Sequence, residues 1–162
     1  MKNILLGFAI FSLVFASCGK EDQPCNFNDS TVTASASETA NIQTYLTANG
    51  ITGNTLHPAG FYYKITQTGI GSAVINLCTQ ISVKYVGKLT NGVVFDQTTG
   101  AEVRLFQLGR VIAGWQKGVP VISSGGKITL YIPPSLGYGS SPVGAIPANS
   151  ILIFDIELVS VS

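Results

Sequence analysis

Aromatic and aliphatic residues surround one carboxylate in the C-terminal half of this 162-residue chain. The candidates are, in chain order, Tyr85, Phe95, Asp96, Phe106, Val111, Ile112, Trp115, Tyr138, Ile146 and Phe154. Residues of these types can line a pocket that excludes water and keeps a few polar groups. No nucleophile–base pair, metal-ligand cluster or phosphate-binding loop accompanies them in the sequence. The chemistry is therefore limited to what a dry, shaped pocket achieves without a covalent intermediate.

Other catalytic arrangements lack their parts. The only histidine, His57, precedes Pro58 in a linker, so a histidine-based triad or metal centre is incomplete. Asp155 and Glu157 alternate along one predicted strand, which favours a solvated strand face over a pair of catalytic acids. Residues 69–71 indicate only a turn. We predict no cofactor and no metal ion, which leaves reactions such as rotation of a prolyl amide bond.

The pocket candidates also have plain structural interpretations. Phe95, Trp115 and Phe154 are of the type that fills protein cores. Asp96 can be a turn residue after a strand, and Tyr138 can simply belong to a loop. Only the joint spacing of these residues favours a binding site.

The elements that must position these residues are mostly strands. Alternation of apolar and polar residues over 80–89 predicts a strand, and Asn91-Gly92 predicts a turn into the next one. Other strands are predicted over 61–66, 93–95, 102–108, 127–132 and 150–159, with a short helix over 111–117. Five or six antiparallel strands and one short internal helix indicate an α+β domain in which the helix covers one face of the sheet.

One further helix is predicted over residues 37–49, before the strands begin. Ile42, Tyr45 and Leu46 have helical spacing, Ser37 is a possible cap, and Gly50 is a stop. A helix of this length is marginal alone, so it must dock on the domain.

The first 17 residues have the pattern of a signal peptide, with a basic start, an apolar run and a small-residue end. Residues 14–18 resemble a bacterial lipoprotein lipobox. That resemblance implies cleavage before Cys18, acylation of Cys18, and a protein lipid-anchored to a bacterial membrane in the cell envelope. Residues 18–36 are polar and predict a flexible tether. An ordinary cleaved signal and a short membrane anchor remain the alternatives.

Two cysteines remain after Cys18. Cys25 and Cys78 can form a disulfide, since an exported protein meets an oxidising compartment, or they can be two unrelated thiols.

The charge of the mature chain is balanced. Nine basic residues less Lys2 leave eight, against eight acidic residues. This balance disfavours a nucleic-acid partner.

Residues 60 to 159 resemble the FKBP-type peptidyl-prolyl cis-trans isomerase family. The matching strings are Val83–Gly87, Gly92–Asp96, Val111–Trp115, Gly118-Val119, Tyr138-Gly139, Ile146-Pro147 and Phe154–Leu158. With the helix and linker at 37–59 before an isomerase domain at 60–162, the chain looks like the lipoprotein forms found in Bacteroidetes.

The resemblance implies a twisted antiparallel sheet of five to six strands wrapped around a short helix, with the site between them. Trp115 would form the pocket floor, and Tyr85, Phe95 and Phe154 its walls. Val111 and Ile112 would lie at one edge, Ile146 in the flap loop, and Phe106 among the substrate-binding residues. Tyr138 and the Ile112 backbone N–H would bond the substrate's carbonyls, and Asp96 would be the acidic point beside the pocket. Of these residues, the resemblance implies that Asp96, Tyr138, Phe95 and Trp115 would be the catalytic ones.

The implied function is acceleration of X-Pro bond rotation in exported, proline-containing polypeptides by a monomer. Five departures from the family pattern affect the pocket edge. They are Val86, Gln97-Thr98, Arg104 near where an aromatic often completes the wall, and slightly short loops over residues 97–103 and 140–145. They leave two alternatives open: a binding module for proline-containing segments with little or no turnover, and a lipoprotein in which the fold is only a spacer.

Overall fold

A computed structural model describes residues 25–162 of the protein. The predicted signal peptide, Cys18 and the first part of the predicted tether lie outside the described residues.

Seven strands form one antiparallel sheet. They are β1 (Thr55–Leu56), β2 (Tyr62–Gln67), β3 (Gln80–Leu89), β4 (Val94–Gln97), β5 (Arg104–Gln107), β6 (Gly126–Ile132) and β7 (Leu152–Val161). The order across the sheet is β1-β2-β6-β7-β3-β4, with β5 pairing on β3 beside β4. The α+β class is as predicted, and the additional strand is β1, two residues that pair with Tyr62 and Tyr63. The sheet therefore begins before residue 60, the predicted start of the domain.

The inner face of the sheet holds the main core. Residues alternate along β3 between buried and half-exposed positions, which places Ile81, Val83 and Tyr85 inward. The short helix α2 (Ala113–Gly118) covers this face and buries Trp115 against it. The core and the candidate pocket thus share one face of the sheet. The pocket residues are held rigidly because they pack closely against the core.

The first helix, α1 (Ala36–Ala48), docks on the outer face. Its Ile42 and Leu46 are buried against Tyr131 and Ile153 of the sheet. The helix is capped by Ser35 and not by Ser37, which corrects the predicted cap. Ser35 is the cap because it forms a capping box with Glu38. The Ser35 Oγ accepts a hydrogen bond from the Glu38 N–H at 3.2 Å, and the Ser35 N–H donates to the Glu38 carboxylate at 3.0 Å.

Residues 25–35 lie against the domain, although the sequence predicts a flexible tether through residue 36. A disulfide joins Cys25 to Cys78. Phe27 packs against the main core beside Gly109, and the Ala34 N–H donates to the Ala59 carbonyl at 2.9 Å. The polar composition of this segment hides its one aromatic anchor, Phe27, and the flexible tether stays a prediction.

Candidate active site

A pocket of about 500 Å³ opens between the inner face of the sheet and α2. All ten residues that the sequence marks as pocket candidates line it, so the structure brings the whole predicted set together. It adds Arg104, Arg110, Val143, Gly144 and Ala145. The strands supply the walls, α2 supplies the floor, and the loop after β6 supplies one rim.

The floor is the indole of Trp115, which is 3% exposed. Three rings stand nearly perpendicular to it, at centroid distances of 5.2 Å for Tyr85, 5.2 Å for Phe154 and 5.8 Å for Phe106. Edge-to-face contacts of this kind hold aromatic rings in fixed orientations. The floor is therefore preorganised and apolar before any ligand arrives.

The wall formed by Phe95 depends on a glycine in β3. Phe95 packs edge-to-face on Phe154 at 5.5 Å between centroids. A Cβ atom at Gly87 would lie 2.7 Å from Phe95 and 2.8 Å from Phe154, closer than real Cβ contacts. Glycine at this position lets the two rings meet over the strand.

One charged network closes the side of the pocket. The Tyr85 hydroxyl donates a short hydrogen bond to the Asp96 carboxylate. The Arg104 guanidinium donates to Asp96 at 2.9 Å and to the Tyr85 hydroxyl oxygen at 2.7 Å, and it lies 5.6 Å from the centre of the Tyr85 ring. Glu102 holds the far side of the same guanidinium at 2.9 Å. The carboxylate is thus ionised, paired and fixed in direction.

The network shifts the pKa of each member. Burial favours the neutral form of Asp96, but the bonds from Tyr85 and Arg104 and the charge of Arg104 outweigh it and lower the Asp96 pKa. Burial, with the adjacent Asp96, raises the pKa of Tyr85 to about 12. Glu102 and Asp96 raise the pKa of Arg104. No group of this network is therefore poised to exchange a proton near neutral pH.

Two donors at the rim have no partner among residues 25–162. These are the Ile112 backbone N–H and the Tyr138 hydroxyl. Ile112 immediately precedes α2, and Tyr138 is 40% exposed after the turn that follows β6. Burial and the nearby Asp96 raise the pKa of Tyr138, so its hydroxyl stays protonated as a donor. Both groups can bond carbonyl oxygens of an extended peptide.

The flap loop is tied into a small turn of its own. Val143 and Ile146 exchange backbone hydrogen bonds at 3.0 and 2.9 Å, and the Ile146 side chain is 6% exposed. The predicted flap residue therefore points into the protein, while the loop tip at 143–145 lines the pocket opening.

Sequence reasoning misses the polar part of the pocket wall. It marks Arg104 only as a departure from the family pattern, whereas the structure bonds Arg104 to Asp96 and Tyr85. The signal was present in β5, because Arg104 and Phe106 are two residues apart and therefore share one face of the strand. Arg110 is also missed, and its place just before Val111 is the only hint.

The fold and the pocket together define a small α+β domain with a desolvated aromatic site. The model of the FKBP-type peptidyl-prolyl cis-trans isomerase family matches residues 73–159. The chain is 48% identical over 105 residues to the FKBP-type peptidyl-prolyl cis-trans isomerase FkpA of Buchnera aphidicola subsp. Schizaphis graminum, covering 64% of this chain and 41% of that protein.

Solved structures agree with this match. The crystal structure of FkpA from Escherichia coli superposes with a TM-score of 0.70 at 37% identity, over 78% of this chain and 60% of that one. A peptidyl-prolyl cis-trans isomerase from Pseudomonas syringae pv. tomato gives 0.66 at 27% identity, over 82% and 99%. The chain therefore belongs to the FKBP-type peptidyl-prolyl cis-trans isomerase family. It spans less than half the length of the curated relatives that it matches.

Proposed function

We propose that this protein is a peptidyl-prolyl cis-trans isomerase. The observation that carries the proposal is the open aromatic pocket, in which three rings surround the Trp115 floor, Phe95 forms a further wall and an ion pair closes one side. Membership of the isomerase family supports it further.

The physical mechanism needs no covalent step. An X-Pro amide rotates slowly because resonance stiffens its C–N bond, with a barrier of about 20 kcal/mol. The half-rotated state has lost that resonance and much of its dipole, so it is less polar than either planar isomer. A pocket floored by Trp115 and walled by Phe95 and Phe154 favours that state over the planar forms, which water stabilises.

The polar groups hold the substrate while the bond turns. The Ile112 N–H and the Tyr138 hydroxyl would bond the peptide carbonyls that flank the proline, and this fixes the chain on both sides of the rotating bond. Asp96 holds a fixed negative charge at the pocket wall, where it is paired with Tyr85 and Arg104. Neither role requires proton transfer.

A proline-limited refolding reaction tests the activity directly. The mature protein should accelerate the slow phase of a substrate whose refolding waits on one X-Pro bond, and it should also accelerate isomerisation of a short X-Pro peptide in a protease-free assay. No acceleration of either reaction by folded protein would contradict the proposal.

A binding module is the second candidate function. The observation that favours it is Arg104, which stands in the wall near where an aromatic is expected and forms an ion pair with Asp96. Saturable binding of a proline-containing peptide without rate enhancement would support this function. Substantial catalysis would exclude it.

For location, we propose that Cys18 is acylated and tethers the protein in the bacterial cell envelope, where it acts as a monomer on exported polypeptides. The lipobox-like residues 14–18 support this, and so does the Cys25–Cys78 disulfide, which suits an oxidising compartment. No helix within residues 25–162 is long and apolar enough to cross a membrane. Mass spectrometry of the Cys18 peptide tests the acylation.

A further inference from the structure

The loop that joins β2 to β3 exposes two isoleucines on an uncharged stretch of chain. Ile70 is fully exposed and Ile75 is 82% exposed. No Asp, Glu, Lys or Arg lies between Lys64 and Lys84. Exposed aliphatic side chains on an uncharged loop can enter a membrane interface without carrying a charge into it.

The backbone around Ile70 is fixed, so its exposure is a property of the fold. Gly69 has a φ of +80°, and a Cβ atom there would lie 2.3 Å from the Ser123 carbonyl oxygen. The N–H groups of Ile70 and Gly71 both donate to the Ser124 carbonyl, at 3.3 and 3.1 Å. A loop seated this tightly holds the Ile70 side chain outward.

Ile75 projects from an equally ordered turn. The Asn76 side chain accepts from the Cys78 N–H at 2.9 Å, which closes the turn. Leu77 is buried in the core, and its carbonyl accepts from the Gly109 N–H at 2.6 Å. The neighbours of Ile75 are thus anchored inward while its own side chain meets solvent.

The same loop receives the N-terminal segment. Cys78 forms the disulfide with Cys25, and Ile75 is three residues from Cys78, a reach of at most about 11 Å along the chain. Cys18 lies seven residues before Cys25 in the sequence, a reach of at most about 25 Å. Cys25 is therefore the point at which an acylated Cys18 would be tied to the domain, and the disulfide ties it to this loop.

We propose that the loop over residues 68–79 is the surface on which the domain rests on its membrane, with Ile70 and Ile75 entering the lipid headgroup region. The proposal rests on the lipid anchor proposed above. A bilayer is the occupant that the geometry favours, because the anchored segment ends at this loop and because an uncharged aliphatic loop enters the interface without burying charge.

The test uses the full chain, processed and acylated in a bacterial host and reconstituted into phosphatidylcholine vesicles with or without brominated acyl chains. The variants are Ile70→Trp and Ile75→Trp. The matched control is Val93→Trp. Val93 is 51% exposed and lies in the turn after β3. The ten residues of β3, about 30 Å in length, separate this turn from the loop. Trp115, the only native tryptophan, is buried and gives the baseline emission.

Brominated lipid should lower the added emission of both loop variants by at least about twofold and leave Val93→Trp unchanged. Quenching at one loop position alone would support the loop as the docking surface and remove the other isoleucine from the contact. Absence of quenching at both, or equal quenching at Val93→Trp, with the protein still floating with the vesicles, overturns the docking surface and leaves the anchor intact. If the protein does not float with the vesicles and Cys18 carries no lipid, the anchor itself fails, and the docking surface fails with it.

Discussion

Two carboxylates in this domain have nearly the same immediate partners and lie in very different surroundings. Asp96 and Asp155 each accept hydrogen bonds from one cationic side chain and one hydroxyl, and their side chains are 45% and 46% exposed. Asp96 borders the aromatic pocket on the inner face. Asp155 lies on the outer face, where it is bonded to Lys88 at 2.8 Å and to Thr129 at 2.7 Å.

A cavity also borders each of them. The outer groove beside Asp155 has a volume of about 440 Å³, close to the 500 Å³ of the pocket at Asp96. Charged side chains such as Lys84, Lys127 and Glu157 line the outer groove. The ion pair and the cavity are therefore common to both places, and the aromatic lining is what distinguishes the candidate active site. We infer that exclusion of water, and not the carboxylate alone, makes the site.

Replacing Trp115, the floor of the pocket, should reduce the activity more than any other single substitution considered. We expect Trp115→Ala to lower kcat/KM for X-Pro rotation by about 100-fold, equivalent to about 2.7 kcal/mol, because water then reaches the rotating bond. The substitution should also cost about 3–5 kcal/mol of unfolding free energy through the cavity that it leaves. Isomerase kinetics and urea unfolding measure the two effects separately.

The matched control for this variant is Tyr131→Ala. Tyr131 is buried on the outer face against α1, away from the pocket. A comparable loss of stability with kcat/KM changed by less than about twofold would show that the Trp115 effect is local. Where Trp115→Ala is too unstable to assay, Trp115→Phe keeps the floor apolar and should retain most of the activity. Equal losses of activity in the two alanine variants would contradict the role of the floor.

Replacing each of the two carboxylates by alanine should have the next largest effect on the difference between them. Asp96→Ala should lower kcat/KM about 10- to 30-fold, or about 1.4–2 kcal/mol, because it removes the carboxylate that pairs with Arg104 on the pocket side and draws water to the guanidinium. Asp155→Ala removes an equally exposed carboxylate from the outer face and should change kcat/KM by less than about twofold. Steady-state kinetics on the two variants decide the matter, and similar losses in both would mean that the aromatic surroundings do not matter.

Most of the fold and of the candidate pocket could be predicted from the sequence, because the alternation of apolar and polar residues marks the strands and their buried faces. The bounds predicted for β3 are those observed, since its alternation specifies which face is buried. The ten pocket candidates converge because they share the inner faces of the strands or follow them in loops. The family resemblance supplied their order, and strand alternation supplied their direction.

What the sequence could not give depends on contacts between distant residues. Arg104 and Asp96 lie on two strands that both pair with β3. Alternation along β5 could place Arg104 on the face of Phe106, but it could not identify Asp96 as its partner. The docking of Phe27 on Gly109 crosses more than 80 residues of chain and stands in a polar segment. The helix cap is different, because it could be predicted locally: Ser35 and Ser37 are both good caps, and only Ser35 has a Glu three residues later.

Double-mutant cycles should distinguish the Asp96–Arg104 ion pair from the Asp155–Lys88 ion pair. The variants are Asp96→Ala with Arg104→Met and Asp155→Ala with Lys88→Met. Both pairs are half-exposed, so each should couple by only about 0.2–1 kcal/mol in unfolding free energy. In kcat/KM, the Asp96–Arg104 pair should couple by up to about 1 kcal/mol and the Asp155–Lys88 pair by none. Coupling of the outer pair in kcat/KM would contradict the separation of the two faces.

The smallest expected effect is that of pH on activity. The pKa of Asp96 is held below its usual value and that of Tyr85 is raised to about 12, so neither group changes its charge between about pH 5 and about pH 9. Over that range kcat/KM should vary by less than about twofold for a substrate that does not itself titrate. An inflection inside it that disappears in Asp96→Asn would mean that Asp96 exchanges a proton during catalysis.

The same pKa shift sets the direction of acid destabilisation. Because the Asp96 pKa is lower in the folded state than in the unfolded state, its stabilising contribution is complete above the unfolded value of about 3.9 and is lost as the pH falls through the folded value. Asp96→Asn should therefore lose less stability than the wild type between about pH 5 and about pH 2, as measured by urea unfolding at a series of pH values. An equal loss in both proteins would show that the bonds from Tyr85 and Arg104 do not favour the ionised carboxylate, and the two surroundings would then differ only in their rings.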